Sequence, residues 1–206
     1  MGRFWQGKPE EAVALIDRFF AAQKEDRIWR SNAAGFRFWF AAYAGGPDAM
    51  SLYEEVEPEL FRVGRRRWVG DGFALHTAID GLTVLGEIET AAGLYEDAVE
   101  SLTLGTVGHI TVPWACTTGI AAACAGEWDA AEGHFTTALQ RAEEVPIVMG
   151  QFETRRWWAW MLLRCGAPDD RERAGELLEE AIAGYQKLEA PLFEQVATEM
   201  LEQARS

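Results

Sequence analysis

A phrase made of one glycine, a short acidic turn and an alanine recurs along the chain. It reads Gly7-Lys-Pro-Glu-Glu-Ala12, Gly86-Glu-Ile-Glu-Thr-Ala91 and Gly126-Glu-Trp-Asp-Ala-Ala131, the alanine standing five residues after the glycine each time. Two looser copies complete the series: Gly46-Pro-Asp-Ala49, two residues shorter, and Gly166-Ala-Pro-Asp-Asp-Arg-Glu-Arg-Ala174, three residues longer. The marker alanines Ala12, Ala49, Ala91, Ala131 and Ala174 are therefore spaced by roughly 40 residues, the period of a helical repeat array. Each unit of such an array has an apolar face that it cannot bury alone, so neighbouring units must stack.

The phrase has the physical logic of a helical hairpin. Glycine stops the first helix, because the left-handed turn needed there is costly for a residue with a Cβ. An acid then opens the second helix, favoured by its exposed N–H groups and macrodipole. The alanine lets two helices approach, and a bulky residue one turn later fills the space beside it. Seven and eight places beyond the marker, Ala98-Val99 match Ala138-Leu139, Phe19-Phe20 stand in the first copy, and Ala181 restores the pattern in the last. Pro9, Pro47, Pro113, Pro146, Pro168 and Pro191 fall at expected helix starts, where a missing N–H costs nothing. Pro58 alone lies inside an expected helix, which it should kink or split.

This punctuation predicts an all-α fold of about ten helices, at 8–23, 27–44, 47–63, 68–85, 87–103, 112–125, 127–144, 146–165, 171–188 and 191–204. The β-branched, glycine-rich stretch 103–112 reads as a long loop. No linker interrupts the series, so residues 1–206 are expected to form one domain, an α-α superhelix. Only Met1–Gln6 stand where the first helix of the first hairpin belongs. The chain is accordingly expected to be part of a longer array at that end, or to pair there with another copy of itself.

Charge narrows the partners. The formal net charge is -14, which opposes binding to nucleic-acid phosphates and to an anionic membrane surface. Cys116, Cys124 and Cys165 cannot close a disulfide set, and none belongs to a C-x-x-C pair. The first residues hold no apolar stretch of signal-peptide type, and no run nears the ~18 apolar residues of a spanning helix. A cytoplasmic protein is the expectation.

The C-terminal third carries a family likeness. Asp170-Arg-Glu-Arg-Ala-Gly-Glu-Leu-Leu-Glu-Glu-Ala-Ile-Ala-Gly-Tyr-Gln-Lys-Leu-Glu-Ala-Pro-Leu-Phe193 resembles the C-terminal tetratricopeptide-like region of large bacterial signalling ATPases, including LuxR-type regulators and nucleotide-cyclase/ATPase fusions. In such proteins a repeat similar to Gly126–Leu139 precedes a final helix like Ala190-Pro-Leu-Phe-Glu. The resemblance covers residues 70 to 206 best and implies a scaffold or sensor segment of a regulator. It implies no catalytic residues, for the sequence has no Walker-type loop, no cyclase segment and no helix-turn-helix.

In a hairpin array the first helices line a concave groove, and side chains one turn apart point into it together. Within 68–85, His76 and Asp80 are so placed, as a pair able to orient a ligand or a proton transfer; an inert polar pair is the competing reading. Within 146–165, Ala159 is expected at the closest helix approach, with Trp158 in the core, Arg155 solvated, and Arg156 and Trp160 facing the groove. An arginine beside an indole can hold a carboxylate, a phosphate or a flat ring, though an Arg–Glu pair with core tryptophans would look the same in sequence. Phe73 and Trp114 extend this candidate surface. Seven of the nine tryptophans (Trp29, Trp39, Trp68, Trp114, Trp157, Trp158 and Trp160) fall on first helices, where they line an aromatic groove or pack repeats together. Arg65-Arg66-Arg67 reads as a solvated loop. His109 and His134 lack a second ligand at metal spacing, and no cofactor motif or nucleophile elbow occurs. Three functions follow in order: a non-catalytic protein- or peptide-binding scaffold, a small-ligand sensor, and an enzyme assembled from several helices.

Overall fold

The computed structural model describes residues 2–22, 27–65, 69–104 and 112–206. Among them the chain is all-α, with no β-sheet. Its helices are α1 (Gly2–Trp5), α2 (Pro9–Ala22), α3 (Arg27–Ala44), α4 (Ala49–Val56), α5 (Val69–Val84), α6 (Ile88–Ala92), α7 (Tyr95–Ser101), α8 (Trp114–Cys124), α9 (Trp128–Glu144), α10 (Val148–Cys165), α11 (Asp170–Lys187) and α12 (Pro191–Arg205). No helix among the described residues is long and apolar enough to cross a membrane.

The punctuation acts as the sequence logic requires. Gly7, Gly86, Gly126 and Gly166 all have φ between 72° and 81°. In the short copy Gly45, not Gly46, takes the left-handed position (φ 65°), so that turn has lost one residue rather than two. One hydrogen bond recurs after these turns: Lys8 N–H to Arg3 O, Gly46 to Ala41, Glu87 to Leu82 and Glu127 to Ala122, at 2.9 to 3.3 Å. It satisfies a carbonyl that the ended helix leaves open. The same bond joins Ala190 to Tyr185 at 3.0 Å, where Glu189 adopts φ 51° in place of a glycine. Asp48, Glu87 and Glu127 precede their helices without any side-chain capping bond. Their contribution is the charge–dipole attraction alone.

The marker alanines are all buried, and so are Tyr53, Phe135 and Leu178 one turn on and Ala98, Ala138 and Ala181 two turns on. The eighth position points outward instead: Val99 is 40% exposed. Pro58 splits its helix as expected, α4 passing into a 3-10 turn at Glu57–Glu59. The expected helix 87–103 is broken into α6 and α7, followed by a 3-10 turn at Leu102–Leu104. The break falls at Gly93-Leu94, where the Leu94 N–H reaches back only three residues, to Ala91 O; glycine is a poor helix-interior residue. The expected loop lies outside the described residues from 105 to 111, as do Arg66, Arg67 and Trp68.

The chain divides into two compact units, one of Met1–Phe4 with Lys8–Thr106, the other of Trp5–Gly7 with Val107–Ser206. In the first, α3 packs on α2, α4 and α5, and α5 packs also on α6 and α7. Phe4 of the one-turn α1 is buried against Trp39, Phe40 and Tyr43, its ring centroid 4.6 to 5.3 Å from theirs. Burial of one such ring is worth about 1.5–3 kcal/mol. In the second unit α10 packs on α8, α9, α11 and α12. Phenyl rings lie directly on glycines of neighbouring helices in both units. A Cβ on Gly81 would overlap Phe38, one on Gly184 would overlap Phe152, and one on Gly119 would lie 3.1 Å from Phe135.

Candidate functional site

α10 holds the most concentrated polar cluster of the second unit. Glu153 and Arg156 lie three residues apart, one helical turn, and so share a face. With helices packed around it, α10 turns that face inward, and both side chains are buried. Arg156 Nη2 donates to Glu153 Oε2 at 2.7 Å and Nε to Oε1 at 3.2 Å. The hydroxyl of Tyr185 on α11 donates to Glu153 Oε1 as well. Burial holds the Tyr185 phenol well above its ordinary range, reinforced by the Glu153 charge and opposed by Arg156. The guanidinium lies 4.3 Å from the ring centroid of Trp157 and 5.7 Å from that of Phe193. Trp5 packs on the same Phe193 at 4.8 Å. A charge taken out of water must be paired and hydrogen-bonded, and here the carboxylate, guanidinium and phenol meet that need among themselves.

Arg156 and Trp160 therefore do not face an open groove together. Arg156 turns into the core toward Glu153, because helices cover that side of α10. Trp160 is half-buried, edge-on to Trp157 at 5.4 Å, with Arg164 5.0 Å above its ring. Ala159 is buried as expected, but Trp157 rather than Trp158 is the deep indole; Trp158 stacks half-buried on Phe135. Arg155, expected in solvent, is only 15% exposed. It bonds Glu180 at 2.6 Å and the carbonyl of Gln151 at 3.0 Å.

In the first unit His76 and Asp80 are buried too. Of the residues of α5, only Val69, Phe73 and Val84 escape full burial, since neighbouring elements cover every side of it. His76 Nε2 lies 2.8 Å from Ser101 Oγ on α7. That hydroxyl donates to Ala98 O at 2.6 Å, so its one hydrogen is committed and Nε2–H is the donor to it. Asp80 accepts from the Tyr43 hydroxyl of α3 at 3.0 Å. Phe73 is half-buried, and Trp114 is fully buried at the start of α8. The candidate pair thus points in two directions, joining α5 to α7 and to α3. Of the first-helix tryptophans, Trp39, Trp114 and Trp157 are buried in core packing, Trp158 and Trp160 are half-buried, and Trp29 is 47% exposed.

The Arg–Glu pair with a core tryptophan is the alternative that the sequence allowed, whereas sequence spacing missed Tyr185, 32 residues from Glu153. It also missed a second network in the first unit. Ser31 Oγ lies 3.0 Å from Glu59 Oε2 and 3.2 Å from Asp71 Oδ1, and Arg30 pairs with Glu59 at 2.9 Å. No local signal reveals partners so far apart in the chain. Among the described residues no group of three or more His, Cys, Asp or Glu side chains is placed to hold a metal. Cys116 is buried, Cys124 half-buried and Cys165 exposed, all as free thiols. His134 is half-buried and its pKa is lowered by burial, while His109 lies outside the described residues. No protein-family model, curated protein or solved structure matches this chain.

Proposed function

We propose that this chain is a non-catalytic binding module, a tetratricopeptide-like α-α superhelix that engages a protein or peptide partner within a regulatory system. The recurring glycine turn with its buried marker alanines supports the repeat reading, and the resemblance of residues 170–193 supports the regulatory one. The observation that carries the binding reading is the commitment of the reactive side chains. Arg156 is held by Glu153 and stacked on Trp157, His76 bonds Ser101, and Asp80 bonds Tyr43, all inside packed helices. Side chains used in this way hold helices together, and the function is left to the surface.

Of the candidate residues, Phe73 and Trp160 retain access to solvent, each in its own unit. Selection from a displayed peptide library, followed by titration of a selected peptide, tests the proposal. Trp160→Ala or Phe73→Ala is expected to weaken binding about tenfold or more, as loss of an aromatic anchor does, with Tm little changed. Selected peptides that bind both variants as tightly as the parent would remove both positions from the reading. A metabolite that raises Tm, with the rise abolished in Arg156→Ala, would favour the small-ligand sensor instead.

A further inference from the structure

We propose that two copies of this chain associate through the outward face of α2, packed antiparallel about a two-fold axis beside Leu15. α2 rests chiefly on α3, through the side that carries Ala12. On the opposite side Glu11, Ala14, Leu15, Arg18 and Ala22 recur at spacings of three and four, and all are exposed. Such residues form one stripe on a helix. Leu15 is 46% and Phe19 39% exposed, and Trp29 of α3 stands edge-on to Phe19 at 5.7 Å.

Comparison with the helices that follow the other markers makes this face unusual. Three residues after the marker alanine, α9 and α11 place His134 and Leu177, both half-buried; seven residues after it they place the buried Ala138 and Ala181. At the same two places α2 carries Leu15 and Phe19, larger at the second and open to water at both. Leucine, phenylalanine and tryptophan clustered at the surface mark a contact site more often than a bare one.

The charges choose the occupant. Arg18 makes no ion pair with any described residue, whereas Glu11 already holds Arg3 and Lys8 at 3.3 Å. When α2 lies antiparallel on its own copy, residues whose numbers sum to 29 face each other. Arg18 then meets the partner's Glu11, twice by symmetry, and Ala14 meets the partner's Leu15. The small Ala14 allows the close axial separation, about 8–10 Å, of packed helices. An acidic or basic partner would match only one of the two charges, but a second copy matches both. With Arg3 and Lys8 beside Glu11, this face lacks the acidic excess of a chain of net charge -14, so two copies meet there with less repulsion than over an acidic face. A helix of 14 residues is only about 21 Å long. One such face is smaller than the roughly 800 Å² per partner of a standard interface, so the dimer is expected to be weak.

Sedimentation velocity on the full chain, over concentrations from low micromolar to near millimolar, tests this. The parent is expected to pass reversibly from monomer to dimer. Leu15→Lys should weaken association about 30-fold, the effect of losing a central anchor. Arg18→Glu and Glu11→Arg should each weaken it severalfold by placing like charges opposite one another, yet an equimolar mixture of the two should recover it, because both facing pairs in the mixed dimer are again Glu with Arg. Circular dichroism and Tm of each variant, expected to stay near the parent's at these exposed positions, separate lost association from lost fold. A parent that stays monomeric throughout, or a dimer indifferent to Leu15→Lys, overturns the proposal. A dimer that mixing fails to restore overturns the antiparallel register.

Discussion

On α10 the Glu153 carboxylate and the Arg156 guanidinium meet one turn apart on the same helix, and Tyr185 closes the group from α11. On α5, His76 and Asp80 are also one turn apart and buried, but His76 bonds Ser101 of α7 and Asp80 bonds Tyr43 of α3. The first arrangement is a concentrated ionic knot; the second is a pair of separate bolts between helices. Buried polar groups need partners in either case, but the consequences of removing one member differ. In the knot a full charge is stranded without its countercharge. At the bolts a single hydrogen bond between two helices goes missing.

The largest expected effect tests that contrast directly. Arg156→Ala leaves Glu153 buried without its countercharge and should cost about 3–5 kcal/mol in chemical denaturation. Replacing Glu153 and Arg156 together by methionine should recover much of that loss, since apolar groups of similar size carry no desolvation cost. A double variant as unstable as Arg156→Ala would show that the knot is not the source of the penalty. Next come the two phenols. Tyr185→Phe and Tyr43→Phe each leave a buried carboxylate short of one donor, at about 1–3 kcal/mol. Parallel melts should place Tyr185 at the upper end, because its acceptor is the more deeply buried.

A pH arm sharpens the same comparison. The Tyr185 phenol titrates well above its ordinary value of 10.0 in the fold, so the unfolded chain loses that proton first. Stability from this group is complete below about pH 10 and falls as pH rises beyond it. The difference in stability between parent and Tyr185→Phe should accordingly shrink above pH 10; a constant difference would contradict the buried phenol. The smallest effect is expected next door. Arg155→Ala loses ion pairs to exposed Glu180 and Glu143, worth about 1 kcal/mol or less, and its loss should diminish further in high salt. Adjacent arginines would then differ severalfold in their cost.

Much of the helical layout was legible because glycine, proline and alanine act through local physics. A left-handed turn selects Gly7, Gly86, Gly126 and Gly166 whatever lies around it, and Pro58 interrupts a helix by its own ring. The break at Gly93-Leu94 escaped notice because an acceptable helical glycine and a breaking one look alike until neighbours pack. The candidate site was legible only in part. Spacing placed Arg156 and Trp160 on α10 and His76 with Asp80 on α5, but the direction of burial depends on how many helices surround each one. α5 and α10 are covered on several sides, a fact that no periodicity contains. Glu153 could be named as a neighbour of Arg156, while Tyr185 on another helix could not.

The rings seated on glycines have a consequence that reaches beyond this one chain. Phe152 occupies the volume that a side chain at position 184 would need, and Phe38 does the same for position 81. Neither member of such a pair can change size freely, since interiors are close-packed and a single added methyl is felt. In a set of diverged copies of this gene the two positions will trade volume: where 184 acquires a methyl, 152 will hold a smaller or more flexible side chain. Correlated substitution at 38 with 81 and at 152 with 184 is thus the evolutionary trace that these helix crossings leave behind.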